Sequence, residues 1–215
     1  MTARIPEEEV MTDVKSVAEF NAFCQRYLGK IGYQVVVETL RNHQVRKGKV
    51  ADLGSGCGHL SMAIRRSNTD LEMTALDLSQ EMTAEAKKNV AAVGGITCVV
   101  ADISALAESD DTYNAAVSFA SLHHWRDPHR IFCEAQRVVK PGGLIVLYDL
   151  KRDAAILNIL KMIPSRKLQE LLRASVQASY TVDEVKALLA ENAFSRNWKV
   201  HEHAMTLGII GTVEK

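Results

Sequence analysis

Val50-Ala51-Asp52-Leu53-Gly54-Ser55-Gly56-Cys57-Gly58 is the stretch from which the architecture can be read. A short apolar strand runs into three glycines spaced two apart, and a helical pattern begins at His59. Glycines allow the backbone to take left-handed angles and to approach a ligand closely. The first turn of a helix also leaves N–H groups without intrahelical partners. In a parallel sheet such a turn lies at the carboxyl edge, where ligands bind. A G-x-G-x-x-G dinucleotide fingerprint would need a glycine at position 59, which is His59. The acid Asp52, two residues before the first glycine, suits a pyrophosphate poorly. It suits a ligand with an amino acid group, whose ammonium is drawn to Asp52 and nearby carbonyls and whose carboxylate is drawn to the turn N–H groups.

Outward from this turn, strands and helices alternate. Strands are expected at 49–53, 71–76, 96–101, 115–119 and 144–148, and helices at 14–28, 33–42, 59–66, 80–93 and 128–139. Ser79 and Asp127 are expected N-caps, the latter with Pro128 at the first helical position. Pro141-Gly142-Gly143 reads as a turn. Alternation at this length implies right-handed crossovers and a parallel sheet. Two strands end in acids. Asp77 follows Gly56 by 21 residues, a spacing that suits ribose hydroxyls, and Asp102 ends the next strand, where it can meet an adenine amino group beside the Ile103 N–H. After Asp149 the rhythm changes: 153–178 reads as helical, broken near Pro164, and Thr181 with Glu184 has capping-box spacing. The segments 198–203 and 205–210 read as a final antiparallel pair.

Composition sets outer limits. The 215 residues carry 26 Lys+Arg against 26 Asp+Glu, a formal charge of zero that lowers the prospect of a nucleic-acid partner. No apolar run is long enough to span a membrane, and the first residues lack the apolar stretch of a secretory signal. The four cysteines form no CxxC pair, so neither a cysteine zinc site nor a disulfide framework is expected, and free thiols point to the cytoplasm.

Taken together, DLGSGCG, ALDLSQEM, VVADIS, SLHHWRDP and VVKPGG resemble, in order and spacing, the class I S-adenosylmethionine-dependent methyltransferases, in particular the small-molecule type that includes ubiquinone and menaquinone methyltransferases. The resemblance covers about residues 47–150. It implies an α/β fold, a Rossmann-like three-layer sandwich whose seven-stranded sheet is mostly parallel with the last strand antiparallel. It also implies S-adenosyl-L-methionine as cofactor and a small-molecule acceptor. Gly54, Ser55 and Gly56 would hold the methionine moiety, with Asp52 acting through the loop. Asp77 would take the ribose, Leu78 would line the adenine, and Asp102 and Ile103 would read its edge. Ser118 and Phe119 would lie beside the sulfonium. The chain reads as one domain: an N-terminal helical cap at 1–46, a cofactor core at 47–150, a helical lid at 151–180, and a C-terminal helix and strand pair at 181–215.

Beyond the cofactor set, His123 is the candidate general base, because imidazole titrates near neutrality and the residue lies close to the fourth strand end. His124, Tyr148 and Asp149 are candidate substrate contacts. The histidine pair can equally shape the loop, since methyl transfer from a sulfonium relies chiefly on positioning. No metal site is expected. The rival readings are a nucleic-acid or protein methyltransferase, disfavoured by Ser118-Phe119-Ala120-Ser121 where an Asn/Asp-Pro-Pro-aromatic block would stand, and a cofactor-binding module without catalysis. The chain is expected to be a monomer or homodimer.

Overall fold

The computed structural model describes residues 4–7, 11–28, 32–152, 165–191 and 194–215. The helical break near Pro164 and the apolar part of the expected lid, Leu157 to Ile163, lie outside them. The described elements are α1 (Val14–Phe23), α2 (Gln34–Asn42), β1 (Gly48–Leu53), α3 (His59–Ser67), β2 (Leu71–Asp77), α4 (Gln80–Val90), β3 (Ile96–Val100), β4 (Tyr113–Phe119), α5 (Pro128–Val138), β5 (Val139–Leu150), α6 (Arg166–Ala178), α7 (Val182–Glu191), β6 (Trp198–Glu202) and β7 (Thr206–Thr212).

One sheet of seven strands runs β3-β2-β1-β4-β5-β7-β6. The pairings among β1 to β5 are parallel, and β7 runs antiparallel to both β5 and β6. The order reverses at β1, so the loop after β1 opens at a switch point. The central strands are buried on both faces, which is why they read as nearly continuous apolar runs. Val50, Val117, Val146 and Tyr148 pack with α2 and α3 on one face, whereas Ala51, Ala116, Ile145 and Leu147 pack with α5 and α7 on the other. The three-layer sandwich follows from this alternation.

Local chemistry places the helix starts as expected. The Ser79 side chain accepts from the Met82 N–H and the Asp127 side chain from the Arg130 N–H, each cap stabilising its helix by about 1 kcal/mol. Thr181 and Glu184 exchange backbone-to-side-chain bonds of 2.8 and 3.2 Å as a capping box. Three boundaries differ from expectation. The first helix leaves the α form at Phe23 and continues as one π turn, Cys24–Leu28. The helix expected to reach Val93 stops at Val90, where Val93 N–H closes a tight turn onto the Val90 carbonyl ahead of Gly94 and Gly95. The expected turn at 141–143 is the bulged start of β5. Gly142 N–H donates to Val213 O at 2.8 Å, and Val213 N–H donates to Gly143 O at 2.9 Å. Pairing with a distant strand end thus overrides local turn chemistry.

Candidate functional site

The carboxyl edge of the sheet gathers the acids, the glycine turn and the histidine pair. Gly54, Gly56 and Gly58 have φ of +70°, +53° and +78°. The turn is held from within: Gly54 and Ser55 N–H groups both donate to Leu76 O at 2.9 Å, and Gly56 N–H donates to Asp77 Oδ2 at 2.7 Å. These three N–H groups therefore do not point outward, contrary to the expectation that they would meet a ligand carboxylate. Three of the turn's carbonyls are engaged as well: Leu53 O accepts from Ser118 Oγ, Ser55 O from Gly58 N–H and Cys57 O from Asn89 Nδ2. Above Gly54 sits Ser121, whose Oγ would lie 2.0 Å from an added Cβ. Above Gly56 an added Cβ would meet nothing within 4 Å. The turn is thus packed at one glycine and open at another.

Asp77 also accepts from Ser79 N–H at 2.9 Å, through Oδ1. Burial raises its carboxyl above the usual range, opposed by these two backbone bonds. Beside it Leu78 is 56 % exposed, and Val100, at the tip of β3 and opposite Asp77 in register, is 45 % exposed. Asp102 is exposed and accepts from Ser104 N–H at 2.8 Å, and bonds from Ser104 hold its carboxyl below the usual range. Ile103 is half-buried against the core. Asp77, Leu78, Asp102 and Ile103 therefore stand together on adjacent strand ends.

Asp52 faces inward. It is 1 % exposed and accepts from Ser61 Oγ on α3 at 2.7 Å. Burial pushes its carboxyl up to about 7, with Ser61 opposing and Asp77 reinforcing. The protonated form is therefore favoured by folding, so the contribution of Asp52 to stability is fully present below the unfolded value near 4 and is lost as pH rises through about 7. Removing that ionisation with Asp52→Asn is expected to flatten the decline of Tm between pH 5 and 8. At pH 8 the variant should be more stable than the wild type by roughly 2–4 kcal/mol, which urea unfolding at both pH values measures.

Ser118 and Phe119 divide between two tasks. Ser118 Oγ donates to Leu53 O at 2.7 Å, tying the tip of β4 to that of β1. Phe119 is half-buried and meets Tyr33 edge-on at 5.2 Å. Tyr33 stacks on His59 at 6.5 Å, and His59 Nε2 shares a 2.6 Å hydrogen bond with Asn21 of α1. The N-terminal helices therefore pack directly against the glycine turn. The sequence offered no sign of this link, because Asn21 and His59 look like ordinary surface residues in isolation.

After β4, Ala120 takes the left-handed conformation at φ +54° and turns the chain onto the glycine loop. Trp125 Nε1–H donates to Ser121 Oγ at 2.9 Å and covers the loop core. His123 is 2 % exposed, as is Asp149 at the end of β5. Asp149 accepts from the His123 backbone N–H and shares a bond with His123 Nδ1, both at 2.7 Å, and also accepts from Leu150 N–H at 2.7 Å. Asp149 thus faces His123 rather than open space. Tyr148 points to the opposite face of the sheet. It is 4 % exposed and its hydroxyl meets Thr39 Oγ1 of α2 at 3.3 Å, which places it in the core and away from the edge. His124 lies 3.6 Å from Glu7 Oε2 with its side chain 40 % exposed. Arg4 Nη2–H donates to His123 O at 3.1 Å, and its guanidinium lies 4.1 Å from the centre of the Tyr180 ring. Arg4 and Glu7 therefore strap the histidine turn, a role that no spacing in the sequence announced. Among the described residues, no helix is long and apolar enough to cross a membrane.

Comparison with known proteins gives this edge a context. The chain is 28% identical over 148 residues to the arsenite methyltransferase of Halobacterium salinarum, covering 67% of this chain and 37% of that protein. It is 35% identical over 102 residues to the ubiquinone/menaquinone biosynthesis C-methyltransferase of Desulfotalea psychrophila, covering 47% of this chain and 41% of that protein. The chain thus spans less than half the length of either relative. A candidate S-adenosyl-L-methionine-dependent methyltransferase of Methanococcus maripaludis superposes with a TM-score of 0.76 at 21% identity, covering 98% of both chains, and so shares the fold. A family model described as a methyltransferase domain matches residues 51–147, from the second half of β1 through most of β5. Residues 51–147, which build the glycine turn and the strand tips around it, are thus the part of the chain that resembles the methyltransferase-domain family.

Proposed function

We propose that this protein transfers a methyl group from S-adenosyl-L-methionine to a small-molecule acceptor. The observation that carries the reading is the cradle at Gly56, where backbone in the left-handed region meets open space and is clipped to the strand-end acid Asp77. The residues present fit the cofactor. Asp77 would accept from the ribose hydroxyls, since its oxygens retain lone pairs beyond those used by Gly56 and Ser79. Leu78 and Val100 would flank the adenine, with Asp102 at its amino edge. Turn carbonyls with a second lone pair to offer would favour the ammonium, while Asp52, turned inward onto Ser61, would act through the loop and not by its own charge. When bound, the cofactor supplies a methyl group activated on a sulfonium. The protein's contribution is to position the acceptor, to exclude water and, where the acceptor carries a proton, to receive it. Orientation of this kind can supply about 7–11 kcal/mol of barrier lowering.

The relatives named for arsenite and for ubiquinone/menaquinone biosynthesis, together with the zero net charge, support a small-molecule acceptor over a nucleic acid. Four free cysteines support a reducing compartment such as the cytoplasm. The reading includes a single catalytic domain, acting as monomer or homodimer, in which α1 and α2 cap the cofactor edge.

Calorimetric titration with S-adenosyl-L-methionine and S-adenosylhomocysteine tests the reading, with Gly56→Ala alongside. Alanine pays the left-handed penalty of about 1–2 kcal/mol without a clash, so the variant should fold with a modestly lower Tm. Its methyl group enters the cradle, so binding of both molecules should weaken at least tenfold. A wild-type protein that binds neither molecule overturns the reading. Unchanged affinity in folded Gly56→Ala removes the cradle from it.

A further inference from the structure

His123 and Asp149 form a buried pair that the cofactor site does not use. The Asp149 carboxylate is anchored by two backbone N–H groups, those of His123 and Leu150, leaving Nδ1 of His123 as its third partner. A carboxylate can only accept, so Nδ1 carries the proton in this bond. Nε2 then holds the lone pair, and it makes no hydrogen bond among the described residues. The pair sits beside the cofactor turn, because Ser121, two residues before His123, packs directly over Gly54.

We propose that Asp149 fixes His123 as the Nδ1–H tautomer so that Nε2 receives the proton of a methyl acceptor bearing an O–H or N–H group. The inference rests on the methyl-transfer reading and narrows its acceptor class. In the step, the acceptor lone pair forms the new bond to the methyl carbon, and the S–CH3 bond breaks with its electron pair passing to sulfur. The acceptor proton moves to Nε2 and is later lost to water. The imidazolium so formed faces the Asp149 carboxylate at 2.7 Å in a nearly dry environment, where the attraction is strong. The other charged or titratable groups around it include His124, with ring centres 4.1 Å apart, Glu7, whose carboxylate lies within 4.8 Å of both histidines' donor atoms, Arg4 at the His123 carbonyl, and Tyr180, which lies against Arg4 and feels the charge of Asp149. His124 is the weaker candidate. It has no short carboxylate bond, and partial burial together with the His123 ring holds its basicity below the usual imidazole range. Asp149 is a positioning residue in this scheme and does not itself take the proton.

The test uses the full chain as wild type, Asp149→Asn and His123→Gln. Long-range 15N–1H NMR of the free protein reads the tautomer directly, with no turnover needed. The expected wild-type result is a protonated Nδ1 and an unprotonated Nε2 on His123. In Asp149→Asn the tautomer should redistribute, because the amide can donate to Nδ1. An Nε2–H tautomer in the wild type, or no change in the variant, overturns the proposal. Turnover of S-adenosyl-L-methionine with hydroquinone, a primary alkylamine and a dialkyl thioether forms the second arm. Hydroquinone or amine methylation should fall about 10²–10⁴-fold in kcat in His123→Gln with KM little changed, and the low-pH limb of the profile should disappear. Methylation of the thioether alone, or turnover indifferent to His123→Gln, overturns it. So does activity abolished by a chelator and restored by a divalent cation, which would assign Glu7, His123 and His124 to an ion. If none of the three acceptors reacts, the tautomer decides. Calorimetric binding of S-adenosyl-L-methionine in all three proteins separates failure of this pair from failure of the methyl-transfer reading, because both variants should bind it within about threefold of the wild type.

Discussion

Asp77→Ala is expected to weaken S-adenosyl-L-methionine binding by about 10²–10⁴-fold. The carboxylate has two duties. It clips the glycine turn through Gly56 N–H at 2.7 Å, and it stands at the strand end where ribose hydroxyls would donate. Loss of two charge-assisted bonds to ligand, at about 1.5–3 kcal/mol each, gives the stated range. The turn also loosens, which adds to the loss. Asp77→Asn should fall between the two, since its single amide oxygen can serve only part of the set of donors. The fold should survive both substitutions. The buried carboxyl is raised by desolvation, so its removal offsets part of the cost of leaving Gly56 and Ser79 N–H groups without acceptors. Calorimetry with both S-adenosyl compounds and a thermal melt on the same samples measures the effect. A folded Asp77→Ala protein that binds within threefold of wild type would place the cofactor elsewhere. Asp102→Ala should cost much less, because that acid is exposed and already engaged by Ser104.

Gly54→Ala is expected to destabilise the fold by about 3 kcal/mol. Two independent costs add. At φ +70° an L-residue pays about 1–2 kcal/mol for the left-handed conformation. The new Cβ would also lie 2.0 Å from Ser121 Oγ and 2.9 Å from Ser121 Cβ, and overpacking of this kind costs about 1–3 kcal/mol. Ser121 cannot simply turn aside, because its hydroxyl holds Trp125 Nε1–H at 2.9 Å and Trp125 is 5 % exposed against Phe132. In urea unfolding, Gly54→Ala should lower the midpoint without changing the slope. Combining it with Ser121→Gly should recover the steric part and leave the conformational part, a coupling that a double-mutant cycle isolates. Additive costs in that cycle would mean the two residues do not meet.

The contrast between Gly54 and Gly56 shows where sequence reading stops. Both are glycines in one motif, two residues apart, and spacing alone treats them alike. Only the fold reveals that one is required by a neighbouring side chain and the other opens onto free space. The same holds for Tyr148 and Asp149. The sequence places both at the end of one strand, but the two-residue period of a strand sends their side chains to opposite faces. Tyr148 meets Thr39 beneath α2, while Asp149 meets His123. The strap of Arg4 and Glu7 over the histidine turn joins residues more than a hundred positions apart, and no local pattern encodes it.

What the sequence by itself determined is the order of strands and helices, the glycine turn after β1, and the acids at successive strand ends. These are local matters. Strand apolarity, glycine conformation and helix caps act over a few residues, and the crossover rule then leaves few ways to arrange them. The tertiary structure decided which side chain faces which. The bulge at Gly142, the inward turn of Asp52 and the pairing of His123 with Asp149 depend on contacts between distant segments. Such contacts form only when packing and the burial of polar groups are satisfied together, and that condition belongs to the whole fold.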